Sequence, residues 1–459
     1  MSVEKKKILT GALALGIGTF TAKLLGAIYR VPLTRILGGT GIGLYQMVFP
    51  VYAVLLDFAG AGAPSALARL IASGDKTDRE KRAYDYLTVS IRVFTVLGVF
   101  FSLFMFAFSK RIASWQGDEN AYKAYMLLSP SVFLVCIISS FRGYFQGMMN
   151  MKPTAISQIV EQTVKLIFGL MFSYMFMSDK TNAAAGAVLG ITLSEAVTAL
   201  WLYAVYLRRR KKLSLLFTFD AENFFSRAGK LIATAFPVTL IGVMLPLSNV
   251  ADSFIIVNVL KGYTSDATAL FGLLSGVAMT IVGLPVAVCY GIATVAVPAV
   301  SGAGGEREKN ANAVKTILLT LAFSVPCAVI LFFFAPEIIG FLFRSLDDAE
   351  KSVAANLLKI LSPAVVFLSL LQTENAVLIG KNRLYAPVLG MFAGILTKVA
   401  LDLILVRNPI INIYGGAVAV IACYFVADLI NLLPIFLKKR ESGAVYESKP
   451  VENRQFGGS

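Results

Sequence analysis

The residues with chemistry to offer are charged side chains set inside long apolar runs. Lys23 and Arg30 lie within the first run, 9–37, seven residues apart. Seven residues make about two helical turns, so both cations share a face. Arg grips phosphate bidentately and Lys adds a point charge, so such a face suits an anionic headgroup. Lys23 lies near the middle of its run, where snorkelling to the surface is harder than for Arg30 or Arg35. Glu161 with Lys165, and Lys398 with Asp402, are spaced i,i+4, which suits a neutralised pair on one helix. Glu195, Asp252 and Glu374 place single carboxylates in other runs. Asp57 and Arg69 are twelve apart, too far to pair directly. Ionisable groups are costly in hydrocarbon and usually face a cavity. Asp252, Glu161, Lys165, Glu195, Lys398 and Asp402 are therefore the candidates for coupling or gating. Their structural alternative is helix packing and buried hydrogen bonding. The chain has no His. That removes His-based triads and His metal sites, and any proton carrier must be a carboxylate. No catalytic residue, metal site or cofactor is expected; coupling to H+ or Na+ is. The four Cys are far apart in apolar runs and read as small core residues.

The elements that must position these groups are membrane helices. The chain has 459 residues, 57% of them hydrophobic and 15% charged, with mean hydropathy +0.73. A soluble domain carries about a quarter charged residues. A cytosolic enzyme, a disordered scaffold and a nucleic-acid-binding domain are excluded on that ground. A spanning helix needs about 20 mostly apolar residues. Twelve such runs occur, at 9–37, 43–72, 84–109, 122–147, 153–178, 183–207, 229–259, 267–300, 312–343, 351–378, 382–406 and 411–437. Backbone left unpaired in lipid forces helices, and the alternation of barrel strands is missing. The first run exceeds the usual 7–15 residues of a signal peptide core and carries Lys23, so it reads as a retained helix. The net charge of +15 collects in alternate loops, including Lys5–Lys7, Lys76–Arg82, Arg208–Lys212 and Lys438–Arg440. That bias puts both termini on the cytoplasmic side. Arg208–Lys212 reads as a topology determinant at a helix end, with nucleic acid or anionic lipid as the alternative partners of such a basic run.

An internal repeat organises the runs. The loop Ser73-Gly74-Asp75-Lys76-Thr77-Asp78-Arg79-Glu80-Lys81 shares Ser, Gly, Arg, Glu and Lys with Ser301-Gly302-Ala303-Gly304-Gly305-Glu306-Arg307-Glu308-Lys309, at an offset of 228. Two parallel six-helix lobes follow, which usually enclose a central site and rock to alternate its access. The lobes are read as 1–207 and 229–437, joined by a basic linker at 208–228 and followed by a tail at 438–459. Gly457-Gly458-Ser459 resembles a fusion scar. By the offset Asp252 falls at the place of Leu24, beside Lys23, so a carboxylate of one half is expected to face a cation of the other. Gly38-Gly39-Thr40-Gly41-Ile42-Gly43 follows a membrane helix and lacks the GK[ST] ending of a phosphate loop, so it reads as a turn.

Several stretches resemble a known family. Leu24-Leu25-Gly26-Ala27-Ile28-Tyr29-Arg30-Val31-Pro32-Leu33 and Gly41-Ile42-Gly43-Leu44-Tyr45-Gln46 are similar to the first two helices of the polysaccharide-transporter branch of the multidrug/oligosaccharidyl-lipid/polysaccharide (MOP) exporter superfamily. Phe141-Arg142-Gly143-Tyr144-Phe145-Gln146-Gly147, then Met151-Lys152-Pro153-Thr154-Ala155-Ile156-Ser157-Gln158 and Glu161-Gln162, resemble the fourth–fifth helix motif of the stage V sporulation protein B and lipid II flippase group. Gly272–Gly276, Leu284-Pro285 and Val297–Ser301 fit the same group. The resemblance implies an all-α, two-lobed, V-shaped MATE-like exporter in a bacterial plasma membrane. It also implies a polyprenyl-pyrophosphate-linked saccharide moved from the inner to the outer leaflet, held by Lys23, Arg30 and Arg142. A monomer is expected, and no nucleic-acid partner. Only twelve helices are counted, where those relatives often have two more, and further cavity arginines are absent. Lipid II itself is therefore in doubt as cargo. The alternative is a multidrug exporter of the same superfamily, which would need an acidic cavity.

Overall fold

The computed structural model describes residues 3–73, 77–209 and 221–436. The expected linker falls mostly on 210–220 and the tail with its Gly457–Ser459 end on 437–459, both outside the described residues. Among the described residues the chain is helical throughout, with no strands. The first half comprises α1 (Val3–Leu56), α2 (Ala63–Ala72), α3 (Arg79–Ala107), α4 (Ser109–Trp115), α5 (Tyr122–Gly147), α6 (Lys152–Met175) and α7 (Lys180–Arg209). The second comprises α8 (Ala221–Lys261), α9 (Ala267–Gly272), α10 (Met279–Ser301), α11 (Glu306–Phe333), α12 (Ala335–Leu342), α13 (Asp348–Leu361), α14 (Ala364–Gly380), α15 (Tyr385–Leu401) and α16 (Tyr414–Phe436). Wider π turns at Asp57–Ala61, Leu273–Ala278 and Asp402–Val406 interrupt this regularity.

Ten helices are long and apolar enough to cross a membrane, or eleven with α13 and α14 joined across a 48° bend. One of the ten, Leu24–Ala72, is 49 residues long. At 1.5 Å per residue it would reach roughly 70 Å, more than twice a hydrocarbon core of about 30 Å. It breaks at Gly38, whose φ of 67° favours a residue without Cβ. Before Gly38 the chain climbs beside α6: Gly18 abuts Ala155, Gly26 abuts Gln162, and Tyr29 abuts Gly169. After it, Met47 meets Tyr125, Ala59 meets Cys136, Leu67 meets Gly143 and Ile71 meets Gly147, all along α5. Since α5 and α6 form a hairpin, with Arg142 bonded to Ser157 and Glu161, the chain reverses at Gly38. The segment crosses twice, which gives twelve crossings, and the glycine-rich stretch is the turn expected of it.

Two boundaries differ from the hydropathy reading. The run 351–378 is not one helix but α13 and α14, bent where Ser362-Pro363 interrupts it. The short α4 and α12, unforeseen in the sequence, follow α3 and α11 at close to the repeat offset.

The halves meet most closely at the end away from the N-terminus. A Cβ on Gly43 would stand 2.0 Å from the Thr268 carbonyl oxygen, and one on Gly272 would stand 2.5 Å from that of Gly39. Small residues allow this approach where no hydrophobic force draws helices together in lipid. Gln116 Nε2 donates to Ser253 Oγ (2.9 Å) and Met47 O (2.9 Å), and Thr268 Oγ1 donates to Asp118 Oδ2 (2.7 Å). At the other, basic end the halves touch through the Arg227–Asp85 ion pair (3.1 Å) and through Gly62 against Ala235.

Candidate functional site

A central cavity lies between the halves. Its larger part, about 680 Å³, is bounded by α1, α6, α10, α11 and the π turn at 273–278. Arg30, Gln46, Lys165, Ser275 and Thr280 are its polar walls. A second part of about 250 Å³ shares Arg30, Gln46 and Ser275 and adds Asn249, Asp252, Lys398 and Tyr424.

Among the described residues three cations face this space. The Nη1 of Arg30 donates to Thr280 Oγ1 across the halves (3.2 Å), and its guanidinium lies 5.8 Å from the Tyr45 ring centre. Lys165 holds its ammonium over the rings of Tyr29 (5.4 Å) and Phe49 (5.7 Å). Such contacts are worth about 0.5–2 kcal/mol, so a phosphate oxygen can draw the ammonium away. Lys398, 1% exposed, donates to Asp252 Oδ2 (2.6 Å) and Ser248 Oγ (3.2 Å). Gln46 donates to the Ser275 carbonyl (2.7 Å), while its Oε1 is buried without a partner. Lys23 stands two turns before Arg30 on α1; its side chain lies outside those described.

Several pairings differ from those the spacing suggested. Glu161 binds Arg142 (2.8 Å), not Lys165, because the α5–α6 hairpin brings a guanidinium against it. Arg142 also donates to Ser157 (2.9 Å), so it sits on that seam and is not among the cavity-lining residues. Asp252 is held by Lys398 of its own half rather than by a cation of the first half. Lys398 in turn reaches across to α8, and both oxygens of Asp402 have no donor. The helix widens into a π turn at Asp402, so the i,i+4 register of a regular helix no longer applies. Glu195 is buried on α7 and accepts from Tyr52 Oη (2.6 Å).

Two further carboxyls lie outside the cavity. Glu374 on α14 and Asp428 on α16 are 0% and 3% exposed, and no donor reaches any of their four oxygens. Asp428 escaped the sequence reading, although an acid in the run 411–437 is the same signal that singled out Glu374. Gln46, Thr280 and Tyr424 were missed as site residues for another reason: neutral polar groups carry no penalty large enough to mark them.

Comparisons with known proteins agree with this architecture. The family model described as "Polysaccharide biosynthesis protein" matches residues 8–304, and the MatE model matches 223–404. The chain is 29% identical to the stage V sporulation protein B of Bacillus subtilis (strain 168), over 96% of this chain and 86% of that one. It is 25% identical to the lipid II flippase MurJ of the same organism, over 96% and 84%. A solved inward-facing multidrug resistance MATE family transporter of the MOP superfamily superposes with TM-score 0.74 at 16% identity, over 93% of this chain and 97% of that one. That likeness extends to the V-shaped fold. The chain is thus a multi-pass membrane protein and belongs to the polysaccharide biosynthesis protein family, among the exporters of the MOP superfamily.

Proposed function

We propose that the chain is a flippase that carries a polyprenyl-pyrophosphate-linked saccharide from the inner to the outer leaflet of a bacterial plasma membrane by alternating access. The observation that supports this most is the sign of the cavity. Arg30, Lys165 and Lys398 line it, and the one lining carboxylate among the described residues, Asp252, is already bonded to Lys398. Cationic drugs are repelled by such walls, and a pyrophosphate is drawn to them. In this reading both termini are cytoplasmic, so the latched end is the outer one and the cavity faces inward.

Arg30 grips the pyrophosphate bidentately and Lys165 leaves its aromatic rings to join it. The free Oε1 of Gln46 accepts from a sugar hydroxyl. The polyprenyl tail lies in lipid between α1 and α10, where Leu24, Ile28 and Val288 are exposed. Arg142, held by Glu161, positions the α5–α6 hairpin rather than touching cargo. The cargo anion competes with Asp252 for Lys398. Asp252 and Asp402 then take protons as Lys398 is drawn off. A proton suits this cluster better than Na+, because the Lys398 ammonium already occupies the cation's place beside Asp252. Glu195 and Glu161 remain paired within the first half through the cycle. The protein works as a monomer, with anionic lipids at its basic loops, and performs no covalent chemistry.

The MatE match over the second half favours the alternative of a drug exporter. Proteoliposomes with a fluorescent lipid-linked oligosaccharide decide between them. The wild type moves the lipid, and the Arg30→Ala/Lys165→Ala variant loses that activity at equal incorporation. An inactive wild type, an unimpaired variant, or transport of ethidium in place of the lipid contradicts the proposal.

A further inference from the structure

The buried pair Glu374–Asp428 lies outside the central cavity and is used by nothing described above. The two carboxyls are electrostatic neighbours across the α14–α16 seam. Asn431 stands one turn beyond Asp428 on the same face of α16. Asn431 is 0% exposed; its Nδ2 donates to Asn375 Oδ1 (3.1 Å), next to Glu374, and its Oδ1 has no partner. Among the described residues no donor reaches any of the four carboxyl oxygens.

Among the described residues no cation comes to it from the surrounding elements. Lys381 and Arg383, just past α14, donate to Ile435 O and Pro434 O of the last turn of α16, and Lys381 also binds Asn310. Lys398 on α15 is held by Asp252 beside Asp402, and Tyr424 on α16 lies by that same cluster. Cys289 on α10 sits by Ser369, Cys327 on α11 lines the cavity, and Lys315 on α11 is exposed. A carboxylate here has nothing to accept from, whereas a carboxylic acid needs a single acceptor. The facing carboxyl supplies that acceptor.

We propose that Glu374 and Asp428 form a proton-binding site, and that its protonation holds α14 against α16. Loss of the protons leaves two like charges facing each other in an apolar bundle and opens this seam. The ties that then remain are Asn375–Asn431 and the Lys381 and Arg383 contacts at the basic end. The site is independent of the cargo, so its failure would not touch the flippase reading.

Infrared difference spectra of the full chain in nanodiscs test it. The wild type shows protonated-carboxyl bands that titrate with pH, are unmoved when choline replaces Na+, and are lost in part in Glu374→Gln and in Asp428→Asn. Both replacements mimic the neutral acid, so the variants keep their fold. Should either fail to fold, spin labels at Ile379→Cys and Leu433→Cys, with native cysteines replaced, give a second readout. Their separation widens at alkaline pH in the otherwise unaltered pair. Bands that neither variant removes, bands that follow Na+ at fixed pH, or a label distance insensitive to pH overturn the proposal.

Discussion

The two halves treat their buried charges in opposite ways. The first half presents Arg30 and Lys165 to the cavity without a carboxylate and keeps its acids elsewhere: Glu161 against Arg142, Glu195 against Tyr52. The second half neutralises the one cation it presents, Lys398, with Asp252, and leaves Asp402, Glu374 and Asp428 without donors. An apolar bundle tolerates a surplus cation only where an anion comes and goes, and an orphan carboxyl only where it holds a proton. On the proposed reading, the difference places the anionic cargo with the first half and proton traffic with the second.

The assignment can be broken in several places. The largest effect is expected at Lys398→Met, which leaves Asp252 and Asp402 facing each other without a cation. Removing one member of a buried pair costs about 3–5 kcal/mol, read as a fall in the melting temperature in detergent. Adding Asp252→Asn recovers most of the loss; no recovery would mean that the two residues do not act as a pair. Next comes Arg30→Ala, which removes charged hydrogen bonds worth about 1.5–3 kcal/mol. Affinity for polyprenyl pyrophosphate falls about 10- to 150-fold, while Arg142→Ala lowers the melting temperature and leaves affinity unchanged. Equal affinity losses in both would erase the separation of cargo site from hairpin seam.

Gly43→Ala sets a methyl against the Thr268 carbonyl, and overpacking of this kind costs about 1–3 kcal/mol. The halves part at the latched end, and Cys327 in the cavity reacts faster with an impermeant thiol reagent added outside. An unchanged rate would show that the latch does not hold the cavity shut. The smallest effect is expected at Tyr52→Phe, where Glu195 loses one hydroxyl donor, a hydrogen bond worth about 0.5–1.5 kcal/mol net. A melt of that variant tests whether the acids of the first half owe their stability to such pairs.

Much of this was legible in the sequence. Twelve apolar runs gave twelve crossings, because hydropathy senses lipid directly and Gly38 can turn tightly. Arg30 could be placed toward the cavity because it shares a face of the first helix with Lys23, seven residues before it. Pairings were less legible. Helical spacing compares residues along one helix, but Glu161 and Lys398 found partners on neighbours, Arg142 of α5 and Asp252 of α8. Repeat symmetry likewise placed Asp252 opposite the first helix, whereas the local packing of α8 on α15 decided its partner. The bend between α13 and α14 and the π turn at Asp402 are tertiary adjustments with little trace in composition.

On the proposed reading, the cationic cavity recognises the pyrophosphate of a lipid-linked sugar. Native mass spectrometry of the purified chain with polyprenyl pyrophosphate, the uncharged polyprenol and ethidium tests it most directly. Retention of the pyrophosphate alone is expected, weakened in Arg30→Ala and in Lys165→Ala. Equal retention of the polyprenol, or preference for ethidium, would contradict it.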